Sequence, residues 1–190
     1  MTNQFPPIIL ASKSPRRQEL LKLMGIDFRI VLKEVDETYP DKLSPHEIAL
    51  YISEKKARAF DELIEDEIVI TADTIVVIDG EILGKPENDE HAIEILSTLS
   101  GNMHEVITAV SLRKSDRIHS FYEVSEVFFK PITEEQIRYY TKNGNPMDKA
   151  GAYGIQEWIG LIAIERINGS YTNVVGLPTH RLYQELCSFI

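Results

Sequence analysis

Cysteine is nearly absent: Cys187 stands alone among 190 residues, which excludes an internal disulfide and a cysteine metal cluster. Its place in the last turn of an expected helix reads as that of a small buried hydrophobe. No stretch approaches the roughly 20 uninterrupted apolar residues that a membrane span requires, and Pro6-Pro7 precede any apolar run, which argues against a secretory leader. The expectation is a cytoplasmic protein with no membrane partner. Positive charge is also short, since 20 Lys and Arg face 30 Asp and Glu for a formal net charge of -10. Affinity for a nucleic acid polymer or an anionic membrane needs spread positive charge and is disfavoured. A phosphate-bearing ligand must therefore be small and locally held, by the residues that interrupt the acidic trend: Arg16-Arg17, Lys55-Lys56 and Lys85. Low-complexity linkers and fixed-period repeats are missing too, so residues 1–190 read as one domain.

With 43% hydrophobic residues the chain can bury a real core. Ile8 to Ala11 suits a buried strand, and Ser14-Pro15 supplies an N-cap and an N1 proline for a helix to about Met24, closed by Gly25. Phe28 to Val35 has strand character. Ser44-Pro45-His46-Glu47 is a capping box that opens a helix through about Leu63. Glu67 to Ile78, rich in Val, Ile and Thr, turns at Asp79-Gly80 into a short strand, Glu81 to Leu83. A helix over Asp89 to Leu99 precedes strands at His104 to Arg113 and Ile118 to Lys130. Thr133 caps a helix to Lys142, followed by strands near Leu161 to Arg166 and Tyr171 to Val175 and a last helix from about Pro178. Hairpins together with helical crossovers imply an α/β class with a mixed twisted sheet and flanking helices.

Several segments can carry chemistry. Ser12-Lys13-Ser14-Pro15-Arg16-Arg17 lies between a strand and a helix N-terminus, where amide groups and the helix dipole favour an anion and arginines add charge-assisted contacts. It also fits an ordinary Ser-Pro helix start with solvated arginines. Asp73, in Ala72-Asp73-Thr74, places a carboxylate inside an aliphatic strand, costly unless it is paired or used. It can ligate a divalent cation and deprotonate a water, or it can lie on an exposed sheet face. Glu34-Val35-Asp36-Glu37 offers a second carboxylate group or a solvated acidic loop. Lys56 and Lys85 are charges for phosphate oxygens or surface lysines. Asp148 to Gln156 mixes small and polar residues, allowing close approach to a flat ligand while Gln156 presents donor and acceptor, or forming a glycine-containing turn.

Leu10-Ala11-Ser12-Lys13-Ser14-Pro15-Arg16-Arg17, Ala72-Asp73-Thr74, Gly84-Lys85-Pro86, Ser100-Gly101 with His104, Asp148 to Gln156, and Val175-Gly176-Leu177-Pro178 together resemble the Maf family, in that family's order. The resemblance implies two lobes around a central cleft, similar to inosine triphosphate pyrophosphatase, and a homodimer. It also implies cleavage of a nucleoside triphosphate between its α- and β-phosphates with magnesium or manganese. Asp73 would activate water. Arg16, Thr74 and Gln156 would govern substrate choice, and Ser12, Arg17, Glu37, Lys56 and Lys85 would line the phosphate and metal region. Glu37 and Asp73 would be the metal ligands, with Asp36 and Lys55 as alternative counterparts to Glu37 and Lys56. Ser-Pro-Arg-Arg, Ala-Asp-Thr and Asp-Lys-Ala-Gly-Ala-Tyr-Gly-Ile-Gln look like the branch acting on dTTP and UTP. The alternatives are a pool-cleansing hydrolase of modified nucleotides such as 7-methyl-GTP, and a nucleotide-binding regulator of septum formation.

Overall fold

The computed structural model describes residues 5–60 and 66–190. Its strands form a seven-stranded mixed sheet in which β1 (Ile8–Leu10) lies between β2 (Phe28–Ile30) and β3 (Ile68–Ile78), parallel to both. The order continues from β3 to β5 (Met103–Lys114), β6 (Arg117–Phe129) and β7 (Ile164–Asn168), while β4 (Glu81–Leu83) pairs antiparallel with β3 across the Asp79-Gly80 turn. The helices are α1 (Pro15–Leu23), α2 (Pro45–Arg58), α3 (Asp89–Leu99), α4 (Glu134–Asn143), α5 (Trp158–Ala163), α6 (Tyr171–Val175) and α7 (Thr179–Phe189). This is the expected α/β class.

The chain divides into two compact units, each with its own core. The first comprises the chain up to Asp73, Thr108–Glu123 and Gly176–Ile190. Here Ile8 and Leu10 on β1 and Ile68, Ile70 and Ala72 on β3 point into one apolar cluster with Leu182 and Leu186 of α7, whereas Ile9 and Val69 point the other way, against Phe60. Period-two alternation with both faces apolar is what a strand covered on each side requires. The second unit, Thr74–Ile107 and Val124–Val175, packs Ala92, Ile95, Leu96 and Leu99 of α3 against Ile137 and Tyr140 of α4 and against Ala152, Tyr153 and Ile155. Strands β3, β5 and β6 contribute residues to both units.

The helix starts follow the caps. Ser44 and Thr133 each close a reciprocal capping box, with Glu47 and Gln136 respectively, and Asn88 accepts the His91 amide at 2.8 Å. Strand β2 stops at Ile30, short of Val35, and α2 stops at Arg58; the expected limit near Leu63 lies outside the described residues. The Leu161–Arg166 expectation splits: the chain is helical to Ala163 and becomes a strand only at Ile164. Tyr171–Val175 is a helix rather than a strand. Fully buried Asn173 donates from Nδ2 to the Val106 carbonyl and the Ser125 hydroxyl, both at 2.9 Å, while its amide donates to Ser170 Oγ at 3.3 Å. These tertiary bonds outweigh the β propensity of Tyr, Thr and Val. Cys187 is exposed, contrary to expectation, because Leu182, Leu186 and Phe189 form the buried stripe of α7 and Cys187 falls off it.

Candidate active site

Alternation along β3 sets the site of the first unit. Ile68, Ile70 and Ala72 enter the core, so Thr71 and Asp73 share the opposite face. There Thr71 Oγ1 donates to the Ser53 carbonyl on α2 at 2.7 Å. Lys56, three residues beyond Ser53, lies on the same helix face, and its Nζ donates to Asp73 Oδ1 at 2.7 Å. The same ammonium is 2.9 Å from Glu37 Oε1. Asp73 and Lys56 side chains are only 14% and 19% exposed, so this pair is held away from bulk water, while Glu37 reaches it from solvent at 55%.

Of the two neighbouring lysines, Lys56 is the one that meets Asp73. Lys55 leaves the Asp73 face: its Nζ pairs with Asp36 Oδ2 at 3.3 Å and donates to the Thr38 carbonyl at 2.9 Å. Asp36 is exposed, and the Thr38 hydroxyl and amide hold its carboxyl below the usual range, against desolvation and with Lys55 adding to the lowering.

The turn from β1 into α1 approaches the same strand. Arg17 donates from Nε to the Gly176 carbonyl at 2.8 Å and from one terminal nitrogen to the Ala72 carbonyl at 2.9 Å and to Ser12 Oγ at 3.3 Å. Ser12 is buried and also accepts the Ser14 amide at 3.2 Å. Arg17 thus ties the start of α1 to the backbone just before Asp73. Burial pushes its guanidinium below the usual range and Asp73 opposes that; Arg16 reinforces the lowering and Glu37 resists it. Arg16 itself is half-buried. Ser12, Arg17, Glu37, Lys56 and Asp73 therefore form one cluster.

Thr74, Lys85 and Gln156 belong to the second unit. Thr74 is half-buried on β3, whereas Lys85 and Gln156 are exposed. The Gly151 amide donates to the Gly84 carbonyl at 3.1 Å, which brings the Asp148–Gln156 segment against Gly84-Lys85-Pro86. Gly151 has φ +69, and a Cβ there would meet Val76 Cγ2 at 2.9 Å, so glycine is required on both counts. Sequence reasoning missed what anchors this segment. Lys149 is 3% exposed and ion-paired to Asp148 Oδ1 at 2.7 Å and Glu157 Oε1 at 2.9 Å. His104 Nε2 and the Tyr153 hydroxyl lie 2.7 Å apart in the core. The available signal was a lysine directly after an acid, at the head of a segment of small residues that ends at Glu157.

Two carboxylates meeting at one ammonium are hard oxygen donors placed close together. Magnesium with a phosphate ligand draws on one or two protein carboxylates, so this donor set fits a divalent ion shared with a substrate. Among the described residues no group of three or more His, Cys, Asp or Glu side chains is arranged to hold an ion without such help. No helix among them is long and apolar enough to cross a membrane.

In this α/β protein a strand-to-helix turn stands beside a paired carboxylate on a central strand, a combination suited to a phosphate-bearing ligand. The chain belongs to the Maf-like protein family, whose model matches residues 7–189. It is 51% identical to the dTTP/UTP pyrophosphatase of Cytophaga hutchinsonii over 94% of this chain and 82% of that protein. It is 51% identical to the one of Bacteroides thetaiotaomicron and 52% to that of Phocaeicola vulgatus, each over 94% of both chains. The Ham1 protein of Staphylococcus aureus superimposes with a TM-score of 0.49 at 20% identity, over 94% of this chain and 99% of that one.

Proposed function

We propose that this chain is a metal-dependent nucleoside triphosphate pyrophosphatase that converts dTTP and UTP, with water, to the monophosphate and pyrophosphate in the cytoplasm. The observation that carries this reading is the Lys56 ammonium shared by Asp73 and Glu37 beside the Ser12–Arg17 turn, in a chain about half identical to proteins named dTTP/UTP pyrophosphatase. Asp73 takes a proton from the attacking water as its oxygen bonds to phosphorus, and the bridging bond between the α- and β-phosphates breaks to release pyrophosphate. Lys56, by holding Oδ1, fixes the carboxylate so that its other oxygen faces the water. Glu37 and Asp73 would hold the magnesium or manganese ion, which supplies positive charge to phosphate oxygens when bound. Ser12, Lys56 and Lys85 meet the phosphates; Arg17, whose donors are turned to Gly176, Ala72 and Ser12, shapes the turn. Arg16, Thr74 and Gln156 select the base.

The test is pyrophosphate release from a panel of canonical and modified triphosphates, 7-methyl-GTP included, with magnesium or manganese. The wild type is expected to favour dTTP and UTP, and Asp73→Asn to lose about 10²- to 10⁴-fold in turnover while keeping the wild-type circular dichroism. A folded Asp73→Asn protein with turnover near the wild type removes the assigned base. Binding without hydrolysis points instead to a regulator.

A further inference from the structure

Lys149 is a charged side chain almost wholly removed from solvent. It is 3% exposed, and Ala152, Tyr153 and Ile155 just beyond it belong to the cluster of the second unit. Its ammonium has three donors, and three acceptors receive them: Asp148 Oδ1 at 2.7 Å, Glu157 Oε1 at 2.9 Å, and the Asn145 carbonyl. Glu157 then passes the connection on, its Oε2 accepting the Tyr140 hydroxyl, which in turn accepts the Gly154 amide at 3.3 Å. The stretch from Lys149 to Glu157 is thus a loop closed by a buried ion pair and stitched at its centre to α4.

Burying an ammonium is costly, and an apolar side chain of similar volume would serve the core at least as well. What an apolar side chain cannot do is hold Glu157 at one position relative to residue 149. Gln156 directly precedes Glu157 and is exposed, and among the described residues no side-chain hydrogen bond holds it. We propose that the Lys149–Glu157 ion pair, completed by the Tyr140 hydroxyl, is a positioning device that sets the aim of Gln156 and so the choice of nucleobase. This rests on the pyrophosphatase reading and on Gln156 as a base-selecting residue. In this proposal Lys149, Glu157 and Tyr140 act through the backbone of residue 156.

The experiment compares kcat and KM for dTTP, UTP, dCTP and GTP in the wild type, Lys149→Met, Tyr140→Phe, Gln156→Ala and the double variant Lys149→Met/Gln156→Ala. Loss of the clamp is expected to raise KM for dTTP and UTP by roughly tenfold, with less effect on the poor substrates, so that the ranking flattens as it does in Gln156→Ala. In the double variant the two changes should not add, because both act through one residue. A role confined to stability would lower the active fraction and reduce kcat by one factor for every nucleotide, with KM and ranking unmoved; that result overturns the proposal, as does full additivity. Lys149→Met leaves Glu157 its Tyr140 partner, and Tyr140→Phe keeps the ring in the core and removes only the hydroxyl, so either variant suffices if the other fails to fold. A wild type that hydrolyses no triphosphate removes the enzymatic reading itself. A wild-type ranking that Gln156→Ala shifts and both clamp variants leave intact removes the clamp alone.

Discussion

Lys55 and Lys56 differ by one position along α2 and by about 100° around it. That rotation sends one ammonium to exposed Asp36 and the other to Asp73 and Glu37. The motif in the sequence marks the lysine pair but does not rank its members; the ranking follows once Thr71 meets Ser53, because a helix face and a strand face then run in step. Asp73, by contrast, was legible, since a carboxylate inside an aliphatic strand needs a reason. His104 was legible only as part of a motif, and its burial has a consequence for pH. At 1% exposure, desolvation pushes its imidazole from 6.5 down to about 4. Between those values the unfolded chain binds a proton that the folded chain refuses, so stability falls as pH drops from about 6.5 to about 4. The loss attributable to this residue is about 3 kcal/mol. Urea denaturation at a series of pH values checks it: the gap between wild type and His104→Gln should narrow by that amount across the window, and parallel curves would show that His104 does not titrate in this way.

Among the elements, those with caps, alternation and turn residues form where the sequence places them: α1, α2, α3 and α4, the β3–β4 hairpin, and the long strands β5 and β6. The stretches that differ from expectation are 31–35, which is not strand, and 161–163 and 171–175, which are helical; the last depends on distant partners. Asn173 reaches Val106 and Ser125, more than 40 residues away in sequence, and no local pattern encodes those bonds. Helix α5 depends on a close approach. A Cβ at Gly160 would stand 2.1 Å from the Ile155 carbonyl oxygen and 2.6 Å from its carbon, and backbone does not yield as a side-chain tip does. Gly160→Ala should therefore destabilise the fold by about 2–4 kcal/mol despite alanine's better helix propensity. A shift in the urea midpoint reads this, and an unchanged or raised midpoint would mean that α5 relaxes away from Ile155.

For the whole molecule, the net charge of -10 sets what it associates with. Sedimentation velocity in about 0.15 M salt, with and without duplex DNA, should give a species of twice the 21.7 kDa chain mass that the DNA does not shift. A monomer would overturn the homodimer expected from the family, and co-sedimentation with DNA would overturn the charge argument. The sequence by itself determined the α/β class, the apolar strands of both cores, the capped helices and the anion-suited turn, because periodicity, caps and charge are local or statistical properties of a chain. Only the tertiary structure decided that Lys56 rather than Lys55 joins Asp73, that Arg17 spends donors on backbone carbonyls, and that a buried Lys149 closes the segment before Gln156. Those outcomes depend on which faces meet across long sequence separations, and the burial of polar groups, which makes each pairing obligatory, exists only once the chain has packed.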